Sequence, residues 1–302
     1  MEPYLPNYLK GKNRRLVFDL LRERGQMSRA EITRDTGMSF PTAMKVVDAF
    51  LEKGLLVELD ETGPAAGAGR KGRLLRFEPG AYRAVGVECE GRFARVGLAD
   101  MAVGVQARET IELGDFARTR DLSPLAAAIR RMCAAANGAP VLGVCIGFPA
   151  NLDPDAAAIV SYAAMDIQQP TSFAQVFPAF WREGELPVYL ENDANLACEG
   201  EAFLRRGAGG AANMLYLSIG SGCGGAVRLD GKLRRGARCR AGEVGAMLLQ
   251  PALGAPGRSA ARETLEDAVC LAALERRFGA ALRDGAQPGE ASAQAMRDYL
   301  CG

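Results

Sequence analysis

The chain predicts a two-part α/β protein, with a small winged helix-turn-helix head over residues 1–77 and a layered body over residues 78–302. Three observations carry that prediction. Between Ser28 and Lys53, two short helix patterns meet at a glycine turn. Two strand patterns around a Gly/Ala/Pro-rich loop follow at once. Beyond Glu78-Pro79-Gly80, short apolar strands alternate with helices, the pattern of an α/β layer fold.

In the head, Lys12 to Arg24 places Leu16, Leu20 and Leu21 at helical spacing, and Gly25 closes this supporting helix. Ser28, with Glu31 three residues on, predicts a capping box, and Gly37 ends the helix it opens. Ser39 caps the next helix, with Pro41 in its first turn where a missing N–H costs little. In that helix Val46, Val47, Phe50 and Leu51 share one face, while Thr42, Lys45 and Asp48 share the other. A helical hairpin that merely packs is the alternative. It is disfavoured by what comes next: strands at Leu55–Leu59 and Leu74–Phe77 flank a loop ending in Arg70-Lys71-Gly72-Arg73. Three helices with a basic two-stranded wing point to double-stranded DNA. Ser39, Thr42 and Lys45 are the candidate major-groove or phosphate contacts, and Arg70, Lys71 and Arg73 the candidate minor-groove or backbone contacts. A merely solvated hairpin loop is the rival reading of the wing.

Composition agrees with a soluble domain protein: 302 residues, 48% apolar and 24% charged. No apolar run approaches the roughly 18 residues of a membrane span, and the N-terminus lacks a signal-peptide core, which predicts a cytoplasmic protein with no membrane partner. The eight cysteines form no Cys-x-x-Cys pair and are expected to be mostly reduced and buried. Histidine is absent, which removes His-based catalytic pairs and the commonest zinc ligand. Net charge is +1 overall but +4 over residues 1–77 and −3 over the remainder, a basic head on an acidic body.

In the body, strands are predicted at Ala84–Glu88, Phe93–Leu98, near Val103–Ile111, at Val141–Ile146 and at Val188–Leu190. Helices are predicted at Asp121–Ala136, Phe173–Trp181 and Ala194–Arg206. A second unit opens with a strand at Met214–Ile219, a glycine turn from Gly220 to Gly225, a returning strand to Leu229 and a tight turn at Asp230-Gly231.

These segments together resemble the ROK family of repressors and sugar kinases, specifically its winged-helix transcriptional regulators, over roughly residues 12–270. The resemblance is carried by Ser28-Arg29-Ala30-Glu31 through Gly54-Leu55-Leu56, by Leu190-Glu191-Asn192-Asp193-Ala194-Asn195, and by Gly220 through Ala241-Gly242-Glu243-Val244-Gly245. It implies an actin-like, ribonuclease H-like body of two lobes with a sugar cleft between them. Asn192 and Asp193 match the pair that bonds sugar hydroxyls, Asp193 being the kinases' general base, and Glu243 matches the sugar-contacting glutamate. Capping of the helix that follows is the structural alternative for Asn192 and Asp193. Gly147-Phe148-Pro149 resembles the family's Gly-x-Pro loop, with Ala150 where a glycine is usual.

The departures from the family pattern shape the expected function. The kinases' Asp-x-Gly-x-Thr phosphate motif is Glu88-Cys89-Glu90-Gly91-Arg92 here, and a second carboxylate beside phosphates is repulsive. The family's zinc ligands fall on Ala246, Gly257, Ser259 and Thr264, none suited to zinc. The Gly220–Gly225 turn is read as structural, with an anion site as its alternative. Leu271–Gly302 holds helical runs but no further strand, so the second lobe is expected to be incomplete. The expectation is a non-enzymatic, cofactor-free DNA-binding regulator, a repressor of carbohydrate genes acting as a homodimer and responding to a sugar or sugar phosphate. An ATP-dependent sugar kinase, and a DNA binder that senses nothing or answers to a protein partner, are the two rivals.

Overall fold

The computed structural model describes residues 5–62, 73–178, 180, 186–205, 212–249 and 263–276. The N-terminal part is built from α1 (Leu5–Arg24), β1 (Gln26–Ser28), α2 (Arg29–Thr36), α3 (Phe40–Glu52), β2 (Leu56–Thr62) and β3 (Arg73–Phe77). Gly25, Gly37 and Gly54, all at positive φ, punctuate it where a side chain would be strained. The Ser28–Glu31 capping box is complete: Glu31 accepts the Ser28 N–H at 2.7 Å while Ser28 Oγ accepts the Glu31 N–H at 3.3 Å. Ser39 stands at the N-cap of α3, yet its hydroxyl pairs with Thr42 Oγ1 at 2.8 Å instead of capping an amide.

The helices close over a sheet of order β1-β3-β2, both pairings antiparallel. Val17, Leu21, Ile32, Val46, Val47, Phe50, Leu75 and Phe77 are buried together, and Phe18 stands edge-on to Phe50 and Phe77. Two sequence expectations shift here. The supporting helix is phased by one residue, so Leu16 is 44% exposed and Val17 takes its place in the core. The strand β1 was not foreseen, because three residues are too short to show a period.

The body begins with β4 (Arg83–Glu90), β5 (Phe93–Asp100) and β6 (Val105–Glu112), followed by α4 (Phe116–Thr119), α5 (Ser123–Ala134) and β7 (Val141–Phe148). With β11 (Val188–Asn192) these form a mixed sheet of order β11-β7-β4-β5-β6. The meander β4-β5-β6 is antiparallel, while β7 runs parallel to both β4 and β11. Alternate residues of β4 and β5 (Val85, Val87, Cys89, Ala94, Val96 and Leu98) face a core completed by Leu125, Ile129 and Met132 of α5.

Between β7 and β11 lies a second small sheet of order β10-β9-β8, made by β8 (Asn151–Asp153), β9 (Ala158–Ser161) and β10 (Thr171–Ser172). The sequence reading missed it, and the helix expected over Phe173–Trp181 is only α6 (Phe173–Val176) among the described residues. Phe148, Phe173 and Phe177 interlock beneath it. After α7 (Asp193–Leu204) come β12 (Met214–Ile219), β13 (Cys223–Leu229) and β14 (Lys232–Leu233), an antiparallel sheet of order β12-β13-β14, and then α8 (Leu265–Val269). Helix α7 packs against β7 and β11 on one side and β12 and β13 on the other, so it is the layer between the two sheets. Among the described residues no helix is long and apolar enough to cross a membrane.

Candidate functional site

Strands β7 and β11 run parallel and end side by side, and the chain turns from β11 straight into α7. The start of α7 approaches closely because Gly147 offers no side chain. A Cβ there would meet Leu196 Cδ2 at 3.2 Å and Asp193 Cα at 3.4 Å. Opposite, the loop carrying Glu243 seats on β13 by glycine-to-backbone contact. A Cβ on Gly242 (φ +95°) would lie 2.3 Å from the Gly225 carbonyl oxygen, and one on Gly245 would lie 2.1 Å from that of Cys223. The Ala-Gly-Glu-Val-Gly run is therefore a packing device that fixes where Glu243 projects.

Together these elements enclose a cleft of about 890 Å³ lined by Asn192, Asp193 and Glu243, which the structure brings together as the sequence expected. Asn192 is the N-cap of α7: its Oδ1 accepts the Asn195 N–H at 3.1 Å and its Nδ2 donates to the Ala150 carbonyl at 3.3 Å. Capping, the structural alternative, is thus one role of this side chain. Asp193 Oδ1 accepts the Ala194 N–H at 2.9 Å. Burial pushes the Asp193 carboxyl above the usual aspartate range, and the charges of Glu88 and Glu90 push it further. Burial likewise raises Glu243, opposed by Arg240 and aided by Asp193 and Glu266.

Several cleft residues escaped the sequence reading, Asn151, Ser161, Arg240 and Glu266 among them. With its amide oriented to satisfy both faces, Asn151 donates to Glu243 Oε1 at 2.8 Å and to the Cys239 carbonyl at 3.2 Å, and accepts from Ser161 Oγ at 3.0 Å. Arg240 Nη2 donates to the same Ser161 Oγ at 3.2 Å. Asn151 and Ser161 sit on the unforeseen β8–β9 pair, so no periodic pattern marked them. Glu266, in the first turn of α8, accepts the Cys223 N–H at 2.8 Å.

Glu266 bears on the glycine turn, read from the sequence as structural with an anion site as the alternative. Its Oε2 lies 2.9 Å from where a Cβ of Gly222 would stand, and Glu90 Oε1 lies 3.5 Å from that of Gly220. Two carboxylates flank the turn, and one of them already takes a backbone N–H that an anion would need. Glu88 and Glu90 share Arg95, at 2.9 and 3.1 Å, while Arg92 turns to Glu112 at 2.9 Å. Zinc does not fit either: position 246 is alanine, and Thr264 Oγ1 donates to Asp267 Oδ2 at 2.7 Å. Among the described residues no cluster of metal-ligating side chains occurs.

In the N-terminal part, Ser39 and Lys45 are exposed on the outer face of α3, with Thr42 half-buried between them. The exposed ring of Phe40 at the same helix start was not anticipated. Arg29 bridges Asp48 of α3 (3.2 Å) to Glu58 of β2 (3.6 Å), and Glu58 also meets Arg73 (3.4 Å). Arg73 is thereby tied to the same edge as α3. Arg70 and Lys71 lie outside the described residues.

The mixed sheet, the glycine-turn hairpin and the acidic cleft between them define a sugar-kinase-like α/β body behind a small helical head. The chain belongs to the ROK family, whose sequence model matches residues 84–296. It is 27% identical over 241 residues to the xylose repressor of Caldicellulosiruptor bescii, covering 78% of this chain and 58% of that protein. It is 34% identical over 141 residues to a glucokinase of Halalkalibacterium halodurans, covering 44% of this chain and 40% of the relative. The chain thus spans little more than half the length of the first and less than half of the second. Among solved structures it resembles a ROK family transcriptional regulator described as a homologue of the Escherichia coli MLC protein, with a TM-score of 0.72 at 18% identity, covering 92% of this chain and 69% of that one. A ROK family glucokinase from Streptomyces griseus shares the fold at a TM-score of 0.51 and 24% identity, covering 70% of this chain and 67% of that one.

Proposed function

We propose that this chain is a DNA-binding transcriptional regulator, a repressor that answers to an unphosphorylated sugar. In this reading residues 1–77 are a winged helix-turn-helix head and residues 78–302 an effector-binding body, paired in a homodimer. One observation carries the reading: the glycine turn of a kinase-like cleft is flanked by the carboxylates of Glu90 and Glu266, while Ser39 and Lys45 stand exposed at α3 of the head. Carboxylates repel the phosphates of a nucleotide, and equally those of a sugar phosphate. The sugar-phosphate half of the sequence expectation therefore gives way to a neutral sugar, whose hydroxyls suit Asn192, Asp193, Glu243 and Asn151 as hydrogen-bond partners. The xylose repressor and the MLC homologue that the chain resembles favour the same reading.

On the head, Ser39, Thr42 and Lys45 face the major groove, with Arg70, Lys71 and Arg73 on the wing. A sugar that prefers one lobe angle shifts the spacing of paired heads and so the affinity for an operator. The test is duplex binding with and without D-xylose or D-glucose, alongside a coupled assay for phosphorylation of both sugars by Mg-ATP. A sugar-dependent change in duplex affinity without turnover supports the proposal. Turnover that vanishes in Asp193→Asn establishes the kinase instead. Duplex binding indifferent to both sugars favours the regulator that senses no sugar.

A further inference from the structure

We propose that α7 carries the state of the cleft to the head, and that Arg22 and Phe203 are the positioning pair through which it does so. This rests on the reading of the chain as a sugar-responsive DNA binder. Helix α7 runs for 12 residues, about 18 Å, from the cleft to the head. At its start, Asn192 and Asp193 line the cleft, and the Asn192 side chain is the cap that holds the first turn. A ligand that draws on Asn192 or Asp193 therefore pulls on the helix itself. At its far end the Phe203 ring lies under the guanidinium of Arg22, with the central carbon 4.0 Å from the ring centroid.

Arg22 belongs to α1, three residues before the glycine that opens the head's sheet, and α1 packs directly on α3. The Arg22 Nε is buried without a hydrogen-bond partner among the described residues. A buried, unpartnered guanidinium nitrogen is costly, so the arrangement persists because the aromatic face supplies what a carboxylate or carbonyl would otherwise supply. The contact is also directional, since a cation loses its attraction as it slides off the ring face. The head has other ties to the body: Tyr82 Oη donates to the Lys53 carbonyl at 3.1 Å, and Met101 packs against the head's core. Neither Tyr82 nor Met101 lines the cleft. Helix α7 lines it at one end and meets the head at the other.

The experiment uses the full chain, a duplex that the protein itself enriches from a random-sequence pool, and D-xylose. Duplex affinity is read by fluorescence anisotropy with and without the sugar, and sugar affinity by calorimetry. In the parent, D-xylose is expected to change duplex affinity by a factor in the range typical of coupled sites, about 5- to 150-fold. In Phe203→Leu and Arg22→Met both separate affinities stay close to parental, while the sugar-induced change falls to less than about twofold. Phe203→Tyr and Arg22→Lys, which keep a ring and a cation, retain most of it. A full response in Phe203→Leu and Arg22→Met overturns the relay and leaves the regulator reading intact. D-glucose replaces D-xylose if the parent does not respond to the latter, and a parent whose duplex affinity neither sugar changes overturns the sugar response and the relay with it.

Discussion

Glu191 and Arg235 are joined by two N–H donors on one oxygen: Arg235 Nε and Nη2 both reach Glu191 Oε2, at 2.9 and 2.5 Å. Glu191 is the penultimate residue of β11 in the first sheet, and Arg235 follows β14 in the second, so the pair clasps the two halves of the body just behind the cleft. The other carboxylate oxygen is occupied as well. Glu191 Oε1 accepts the Asn192 N–H and Asn195 Nδ2, each at 3.0 Å. The whole carboxylate is buried, and its partners hold both the start of α7 and the loop that leads to Glu243.

Removing Arg235 should therefore loosen the cleft as well as lower stability. Its side chain is 42% exposed, so solvent screening reduces what the charge contributes. Arg235→Met is expected to cost about 1–2 kcal/mol in urea unfolding, less than a fully buried charged hydrogen bond. Glu191→Ala should cost more, because it strands Asn195 Nδ2 and the guanidinium together. A double-mutant cycle checks this, and strict additivity of the two substitutions would show that the clasp contributes nothing.

The acid–base behaviour of Asp193 gives a second test. Its folded pKa lies above the unfolded value, chiefly through burial, so the folded chain holds this proton more tightly than the unfolded one. The associated stability is present below the ordinary aspartate pKa and is lost as pH rises through the folded value. At neutral pH the ionised carboxylate is a burden on the fold. Asp193→Asn should then be more stable than the parent at pH 8, with the gap narrowing towards pH 4, measured by denaturant midpoints. A gap that widens on acidification would contradict the burial argument.

A third prediction concerns the head. Ser28 and Glu31 satisfy each other's backbone amides, and Ser28 is buried. The bond also draws the Glu31 carboxyl below the usual glutamate range. Ser28→Ala should destabilise the head by about 1 kcal/mol, with Ser28→Asp or Ser28→Thr retaining most of the cap. Hydrogen exchange in α2 reads this locally, with protection falling there before it falls in α5.

What was legible beforehand followed local rules. The capping box, the glycine stops, the β4–β5 meander and the sequence of β11 into α7 all have signatures within a few residues of each other. Asn192, Asp193 and Glu243 were found through motif resemblance, and they do converge on one cleft. The misses share a cause. The Glu191–Arg235 clasp joins positions 44 apart, and no local pattern announces such a partner. Asn151 and Ser161 sit on short strands that lack a period. Leu16 and Val17 are adjacent and both apolar, and only the packing of Phe18 against Phe50 and Phe77 fixes which one turns inward. Glu266 carries no local signature in the sequence either. Its bond to the Cys223 N–H depends on how α8 folds back onto the glycine turn.

The final prediction separates positioning from specificity on the head. Lys45 is exposed on α3, and Arg73 shares Glu58 with Arg29, which itself holds Asp48 of α3. An exposed cation that meets a phosphate releases a condensed counterion, so its loss reduces the salt dependence of binding by about one ion. Arg73→Ala should weaken binding to every duplex alike and flatten the slope of log affinity against log salt by about 0.9. Because Glu58 is shared, Arg73→Ala also leaves that carboxylate to Arg29 alone, and Glu58→Gln should strengthen duplex binding by removing a nearby negative charge. Lys45→Ala and Thr42→Ala should instead re-rank duplexes enriched from a random pool, as loss of a base contact does. Titrations at several salt concentrations against two unrelated duplexes distinguish these outcomes. An unchanged slope in Arg73→Ala removes Arg73 from the interface, and an unchanged ranking in both α3 variants removes α3 from base readout.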